Sequence, residues 1–231
     1  MTQARHISLF ISRLWTISLL SLCCIASPAQ RARKNPAQVP DTLPLFRGVA
    51  LSVDAVGPAQ LFLGDYGQYE AALRVNLKDK YFPIIEVGIG KADAHDDATN
   101  LQYKTNAPYA RAGVDFNLLK NKYDDYRLYG GFRVAYTSYK FDFSSPEVSD
   151  PTWGGTVEFS GQDIKASYLW GEAVLGVDAK IWGPVRLGWS VRYKRRLHHD
   201  DGTAGNTWYV PGYGKQGNMR LGGTFNIIFE L

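Results

Sequence analysis

Two clusters of histidine and aspartate have the residue types and spacing best suited to chemistry. They are His95-Asp96-Asp97 and His198-His199-Asp200-Asp201. Imidazole and carboxylate groups together can bind zinc or copper. Residues of this kind are also common at the solvated tips of loops, and that is the interpretation we favour. We therefore expect no metal and no other cofactor.

No enzyme signature accompanies these clusters. The sequence shows no Gly-rich loop able to cradle a phosphate and no clear Ser-His-Asp spacing. The prediction is a protein without enzymatic activity.

Arginine and acidic residues recur at alternate positions of otherwise apolar segments. In residues 109–118, for example, Arg111 and Asp115 alternate with Ala112, Val114 and Phe116. A period of two indicates a β-strand with one apolar and one polar side. Opposite charges crowded on the inner face of a closed sheet can pair and satisfy each other. The predicted lumen charge network comprises Glu70, Arg74, Glu86, Arg111, Asp115, Arg127, Arg133, Glu172, Asp178, Arg186, Arg192, Arg220 and Glu230.

The alternation must be carried by strands, and it predicts eight of them. They lie near 48–55, 68–77, 85–90, 109–118, 127–137, 169–181, 185–194 and 219–231. The connections after the second, fourth and sixth are short, whereas 91–107, 142–163 and 196–217 are expected to be long loops. This pattern is typical of an all-β fold, an eight-stranded antiparallel up-and-down transmembrane β-barrel with short periplasmic turns and longer extracellular loops. The predicted barrel covers residues 46–231.

The N-terminal part is predicted to lie outside the barrel. Residues 1–29 have the basic start, apolar run and small residues of a secretory signal peptide, and 30–45 are expected to form a flexible periplasmic lead-in. Both cysteines, Cys23 and Cys24, fall within the signal. Its loss lowers the formal net charge from +4 to +2, because Arg5 and Arg13 go with it, and so mild a charge argues against a nucleic-acid partner. The expected location is the outer membrane.

The last strand carries a candidate insertion signal. Its residues are Arg220, Gly222, Phe225, Ile227, Phe229 and Leu231. They resemble the C-terminal signal of bacterial outer-membrane barrels, although Leu231 replaces the common terminal aromatic. With the stretches YFPIIEVGIG (81–90) and YARAGVDFNLL (109–119), the chain resembles the small OmpA-type and OmpX-type barrels, and more closely a Bacteroidota outer-membrane barrel family of unknown function. The resemblance implies outer-membrane lipid and lipopolysaccharide, and the barrel-assembly machinery, as partners.

The function expected from these features is structural or surface-interacting, with a lumen plugged by paired charges. Aromatic girdles are expected from Tyr81, Phe82, Tyr123, Tyr126 and Trp182 at the short turns and from Tyr136, Tyr139 and Phe141 at the long loops. The long loops also carry Trp153, Phe159, Trp208, Tyr209 and Tyr213, which we expect to rest on the rim rather than bind a partner.

Two alternatives remain open. One is a soluble, lipocalin-like barrel whose apolar face surrounds a small ligand. The other is a lipid A-modifying enzyme, although the sequence lacks the His-x-Ser of such deacylases and the helix that opens lipid A palmitoyltransferases.

Overall fold

Eight antiparallel strands close into a barrel in the computed structural model. It describes residues 44–96, 101–121, 124–145, 148–149, 156–157, 160–200, 202 and 207–231. The predicted signal peptide and residues 30–43 of the predicted lead-in lie outside the described residues.

The strands follow one another in chain order around the barrel. The first five are β1 (Phe46–Asp54), β2 (Tyr66–Leu77), β3 (Tyr81–Asp96), β4 (Leu101–Asn117) and β5 (Tyr126–Ser144). Two short strands, β6 (Val148–Ser149) and β7 (Thr156–Val157), pair only with each other. Then come β8 (Ser160–Trp182), β9 (Val185–Asp200), the small pair β10 (Tyr209–Val210) and β11 (Gly214–Lys215), and β12 (Met219–Glu230). The barrel order is β1-β12-β9-β8-β5-β4-β3-β2, which confirms the predicted all-β, eight-stranded, antiparallel up-and-down fold.

The strand alternation separates two chemically opposite faces. In β5, Phe132 and Val134 are exposed on the outer wall, whereas Tyr129, Arg133 and Thr137 are buried inside. The other strands repeat this arrangement. Large apolar residues exposed outside include Leu51, Leu73, Ile85, Val87, Ile89, Leu175, Val177, Val191 and Leu221.

Several strands extend far into segments predicted to be loops. Most of 91–107 is strand, and β5 and β8 take residues from both ends of 142–163. The period of two continues there with small or polar residues in place of large aliphatic ones. Ala92 and Tyr103 are buried, while Lys104 and Asp93 pair across the exposed face at 3.3 Å. These segments were predicted as loops because their composition is polar, although the alternation of a strand continues through them.

A short helix that the sequence analysis missed, α1 (Val56–Leu63), follows β1. Asp54 holds its start, because its carboxylate accepts the backbone N–H groups of Val56 (3.1 Å) and Gly57 (2.8 Å). These are N–H groups that a helix leaves unpaired at its first turn, and Pro58 is tolerated there because it needs no partner. Among the described residues, no helix has the length and apolar character to cross a membrane.

The helix fills a place where the wall lacks a strand. β1 is short, so it pairs with β12 only from Asn226 onward and with β2 only from Ala71 onward. Beyond these points Tyr66–Glu70 of β2 and Met219–Thr224 of β12 have strand partners on one side only. α1 lies against β2 so closely that a Cβ on Gly57 would stand 2.2 Å from the Gln68 carbonyl oxygen. The barrel wall is therefore low at β1, beside α1, and taller on the opposite side, where β5 and β8 are long.

Candidate functional site: the charged lumen and the inserted hairpin

The centre of the lumen is an ion-pair cluster around Glu86. Its carboxylate accepts from Arg192 at 2.7 Å, Arg133 at 2.8 Å and Arg111 at 3.1 Å. Alternation places Glu86 on the inner face of β3, and each arginine comes from a different strand. All four side chains are almost fully buried. One carboxylate thus ties four strands together.

Two further acids complete this central cluster. Glu70 pairs with Arg111 and, at 3.2 Å, with Arg192. Glu172 lies 3.0 Å from Nε of Arg111 and accepts the indole N–H of Trp170 at 2.7 Å. The buried arginines therefore share several carboxylates, and none depends on a single partner.

A second cluster lies nearer the short turns. Asp178 pairs with Arg186 at 2.6 Å and with Arg74 at 3.2 Å. Asp115 pairs with Arg74 at 3.2 Å and with Arg133 at 3.1 Å, so Arg133 joins the two clusters.

Two acids close the network at the rim near the short turns: Glu230, which was predicted, and Asp79, which was not. Glu230 pairs with Arg127 and lies 3.6 Å from Arg186. Asp79, in the turn between β2 and β3, pairs with Arg47 at 3.0 Å and is buried. A turn position carries no strand alternation, which is why Asp79 gave no signal.

Arg220 departs from the predicted network. Its guanidinium donates to the backbone carbonyls of Lys215 and Gln216, both at 2.7 Å, and no ion pair to a described carboxylate joins it. Arg220 stands near the start of β12, next to the loop that contains Lys215 and Gln216.

The predicted loop 196–217 does not rest on the rim. β9 runs to Asp200, and residues 207–217 fold inward as a hairpin that includes β10 and β11. The Gly212 carbonyl accepts from Arg111 and from Lys194, both at 2.7 Å, and Tyr209 donates to the Gly67 carbonyl at 3.0 Å. We call residues 207–217 the inserted hairpin.

The fit of the inserted hairpin is tight. A Cβ on Gly90 would lie 2.6 Å from Cα of Pro211, so only glycine admits the hairpin there. Tyr209 and Tyr213 are buried, and burial raises the pKa of both hydroxyls above the ordinary value. Both therefore remain hydrogen-bond donors at neutral pH. Trp153 and Phe159, also expected at the rim, lie outside the described residues.

An inner aromatic cluster replaces part of the expected girdle. Tyr139 and Phe141 are buried with Tyr103 and Tyr168, because the alternation of β5 puts them on the same face as Thr137. Phe82 is buried for the same reason, one position after exposed Tyr81. At the short-turn end Tyr126 and Trp182 are exposed as predicted, and Tyr136 is exposed on the outer wall. Tyr123 lies outside the described residues.

The histidine clusters are not brought together. His95 lies next to the end of β3 and His198-His199 lie next to the end of β9, on opposite walls of the barrel. Within the described residues, no group of three or more His, Cys, Asp or Glu side chains is placed to hold a metal ion. Asp97 and Asp201 lie outside the described residues.

Residues of the candidate insertion signal divide between the two faces. Phe225 packs on exposed Trp189 with ring centroids 4.5 Å apart, and Phe229 is exposed on the outer wall. Ile227 shares their face by alternation, while Gly222 lines the lumen with Arg220. Leu231 joins β1 through two backbone hydrogen bonds with Val49, of 2.8 and 3.2 Å.

The lumen contains separate small cavities. One of about 180 Å³ lies at the long-loop end, one of about 10 Å³ at the level of Glu86, and one of about 130 Å³ at the short-turn end. Arg192 borders the first two and Arg74 the last two, so the ion pairs stand between the cavities.

The sequence matches the family described as "Domain of unknown function (DUF6048)" over residues 7–230, and the chain belongs to that family. No curated protein matches it. The Bacteroidota resemblance stays a prediction.

Three solved structures are similar in fold. A major outer membrane protein from Thermus thermophilus has 14% identity and a TM-score of 0.49, covering 80% of this chain and 98% of that one. Neisserial surface protein A (NspA) has 12% identity and a TM-score of 0.44, with 80% and 99% covered. Ail, the attachment invasion locus protein of Yersinia pestis, solved with the heparin analogue sucrose octasulfate, has 10% identity and a TM-score of 0.36, with 79% and 93% covered.

Proposed function

We propose that this member of the DUF6048 family is an integral outer-membrane β-barrel, closed to solute flow, that acts as a structural or surface-interaction protein of the envelope. The observation that carries the proposal is the opposite polarity of the two barrel faces. Phe132, Val191 and Leu221 stand on an apolar outer wall, while the arginines of the ion-pair clusters point inward.

Lipid is the surrounding that suits such a wall. A contiguous apolar surface of this extent is rare on soluble monomers, where patches larger than a few hundred Å² mark interaction sites. An arginine facing lipid at the midplane costs roughly 2–4 kcal/mol, so an inward arrangement of the arginines is favoured in a bilayer. A soluble lipocalin-like barrel needs the opposite arrangement, an apolar interior around its ligand. The charged interior therefore argues against that alternative.

Ion pairs and the inserted hairpin support a plugged lumen. An eight-stranded barrel has an interior that side chains can fill. Here a permeating ion would have to separate Arg192 from Glu86 and Arg74 from Asp178, both buried pairs. Removing one partner of a buried pair costs about 3–5 kcal/mol, which shows how strongly such pairs resist the loss of a partner. Passive transport is therefore disfavoured.

The proposed partners follow from the same surfaces. Outer-membrane lipid, including lipopolysaccharide, surrounds the apolar wall, and the barrel-assembly machinery recognises the C-terminal strand through Phe225, Ile227, Phe229 and Leu231. No feature of the described lumen favours catalysis on lipid A over a structural role.

Two measurements test the proposal. Membrane-fraction protein run on an SDS gel should migrate differently boiled and unboiled, as a detergent-resistant barrel does. Recovery from the soluble fraction with no shift would overturn the membrane assignment. In planar bilayers the protein should give no steady conductance, and a stable open channel would overturn the plugged lumen.

A further inference from the structure

A cationic cavity opens beside α1, where the barrel wall is low. It lies between α1, β12 and the inserted hairpin and measures about 180 Å³. No described aspartate or glutamate is among its lining residues. The cationic residues that line it are Arg111, Arg192, Lys194, Lys215 and Arg220.

Two of these cations, Lys215 and Arg220, have no carboxylate partner among the described residues. Arg111 and Arg192 belong to the central ion-pair cluster, and Lys194, which donates to the carbonyls of Gly212 and Tyr213, stands opposite Glu172 in the strand register. Lys215 stands 4.9 Å from the centre of the Trp208 ring. Arg220 also donates to carbonyls only. The cavity therefore carries surplus positive charge, which an anion would balance.

The low wall adds backbone donors to the same place. The backbone N–H of Phe225 donates to the Asp54 carboxylate (3.2 Å), and the Phe225 carbonyl accepts from the Ala55 N–H (2.8 Å). Both groups face the β1 side. By strand alternation, the N–H groups of Gly223 and Leu221 face that side too. No described strand pairs with β12 there, and both residues line the cavity.

An apolar groove adjoins the cavity from outside. It measures about 530 Å³ and runs between α1 and the outer wall, where Ala59, Leu63, Trp189 and Phe225 line it. Gln60 and Tyr66 border both the groove and the cavity, so the two are neighbours.

We propose that cavity and groove together bind a phosphate-bearing lipid of the outer leaflet, with the phosphate in the cavity and one acyl chain in the groove. This rests on the proposed membrane location. Lys215 and Arg220 hold the phosphate, because charge-assisted bonds from cations to phosphate are the strong ones. A free phosphate would satisfy the cavity equally but leaves the groove without an occupant.

The test measures binding of hexa-acylated lipid A to the folded full-length chain in zwitterionic detergent, by native mass spectrometry. We expect K215Q/R220Q to weaken binding about tenfold or more, since each hydrogen bond to a charged group contributes about 1.5–3 kcal/mol. The matched control, K91Q/K104Q, removes two exposed lysines of β3 and β4 and should bind as the unaltered protein does. Ala59→Trp fills the groove and should also weaken binding.

The outcomes separate the possibilities. Equal loss in both double variants, or no preference for lipid A over phosphatidylcholine in protein that still shows the heat-dependent gel shift, overturns this inference alone. Full competition by inorganic phosphate with no effect of Ala59→Trp shows a free-anion site and overturns the lipid proposal. Absence of the gel shift in the unaltered protein overturns the proposed function itself.

Discussion

Replacing Glu86 by glutamine should destabilise the barrel more than any other neutralisation of one charge. The substitution keeps the side-chain size and removes the carboxylate that Arg111, Arg133 and Arg192 share. Breaking a buried ion pair by removing one partner costs about 3–5 kcal/mol. Because Glu86 is almost fully buried and three guanidinium groups lose it together, we expect the upper half of that range. The three arginines keep their other partners, Glu70, Glu172 and Asp115, and these remaining ion pairs offset part of the destabilisation.

Urea unfolding of the protein in phospholipid vesicles, followed by tryptophan fluorescence, measures this effect. The control is Asp93→Asn, which breaks the exposed pair with Lys104. Both partners there are about two-thirds exposed, at 66% and 68%, and an exposed pair contributes about 0–1 kcal/mol. Added salt should change the control's stability difference but leave that of Glu86→Gln nearly unaltered, since buried pairs are screened little.

The reasoning fails if Glu86→Gln unfolds within about 1 kcal/mol of the unaltered protein, the range of exposed pairs. That result would mean that the lumen arginines do not depend on this carboxylate. A fall in the slope of free energy against urea, rather than in the midpoint, would mean a changed compactness instead of a lost ion pair.

Three further substitutions test other parts of the structure. Phe132→Arg places a charge on the exposed outer wall and should cost roughly 2–4 kcal/mol in vesicles, read from the urea midpoint; a negligible cost would contradict contact with lipid. Gly176→Ala would bring a Cβ to 2.4 Å from the Tyr129 ring and should destabilise the fold, whereas Gly171→Ala, with its nearest atom at 3.8 Å, should not; equal midpoints for the two would contradict the packing. Asp54→Ala removes the acceptor at the start of α1 and should cost about 0.5–2 kcal/mol, seen as faster hydrogen exchange in α1; unchanged exchange would sink this account of the helix.

The number of strands and the residues that share a face were predictable, because a period of two needs only the order of residue types. Glu86 stands between Ile85 and Val87, and that spacing alone puts it on the other face from them. Strand ends were not predictable. Beyond Gly90 the outward positions become Lys91 and Asp93, so the apolar signal ends although the strand continues.

The candidate site was predictable only where it depended on strand alternation. The inward direction of Arg111 and Arg192 follows from the alternation of their strands. Their shared partners depend on which strands stand opposite one another in the barrel. The inserted hairpin has no sequence signal of its own, since Tyr209 and Tyr213 look like ordinary loop aromatics. Its position comes from contacts with residues far away in the chain, such as the bond from Tyr209 to Gly67.

The distribution of charge along the lumen explains why any ligand would bind near α1 rather than in the centre. Around Glu86 every arginine has an acid, so an added anion would meet carboxylates already in place. Lys194 lies one inward position beyond Arg192 on β9 and still has an acid, Glu172 of β8, opposite it in the strand register. Lys215 and Arg220 line the cavity near α1, and no described aspartate or glutamate is among its lining residues. Among the described residues around the cavity, the cations without a carboxylate partner are therefore Lys215 and Arg220, which lie where β1 has ended and where the wall admits a molecule from the side.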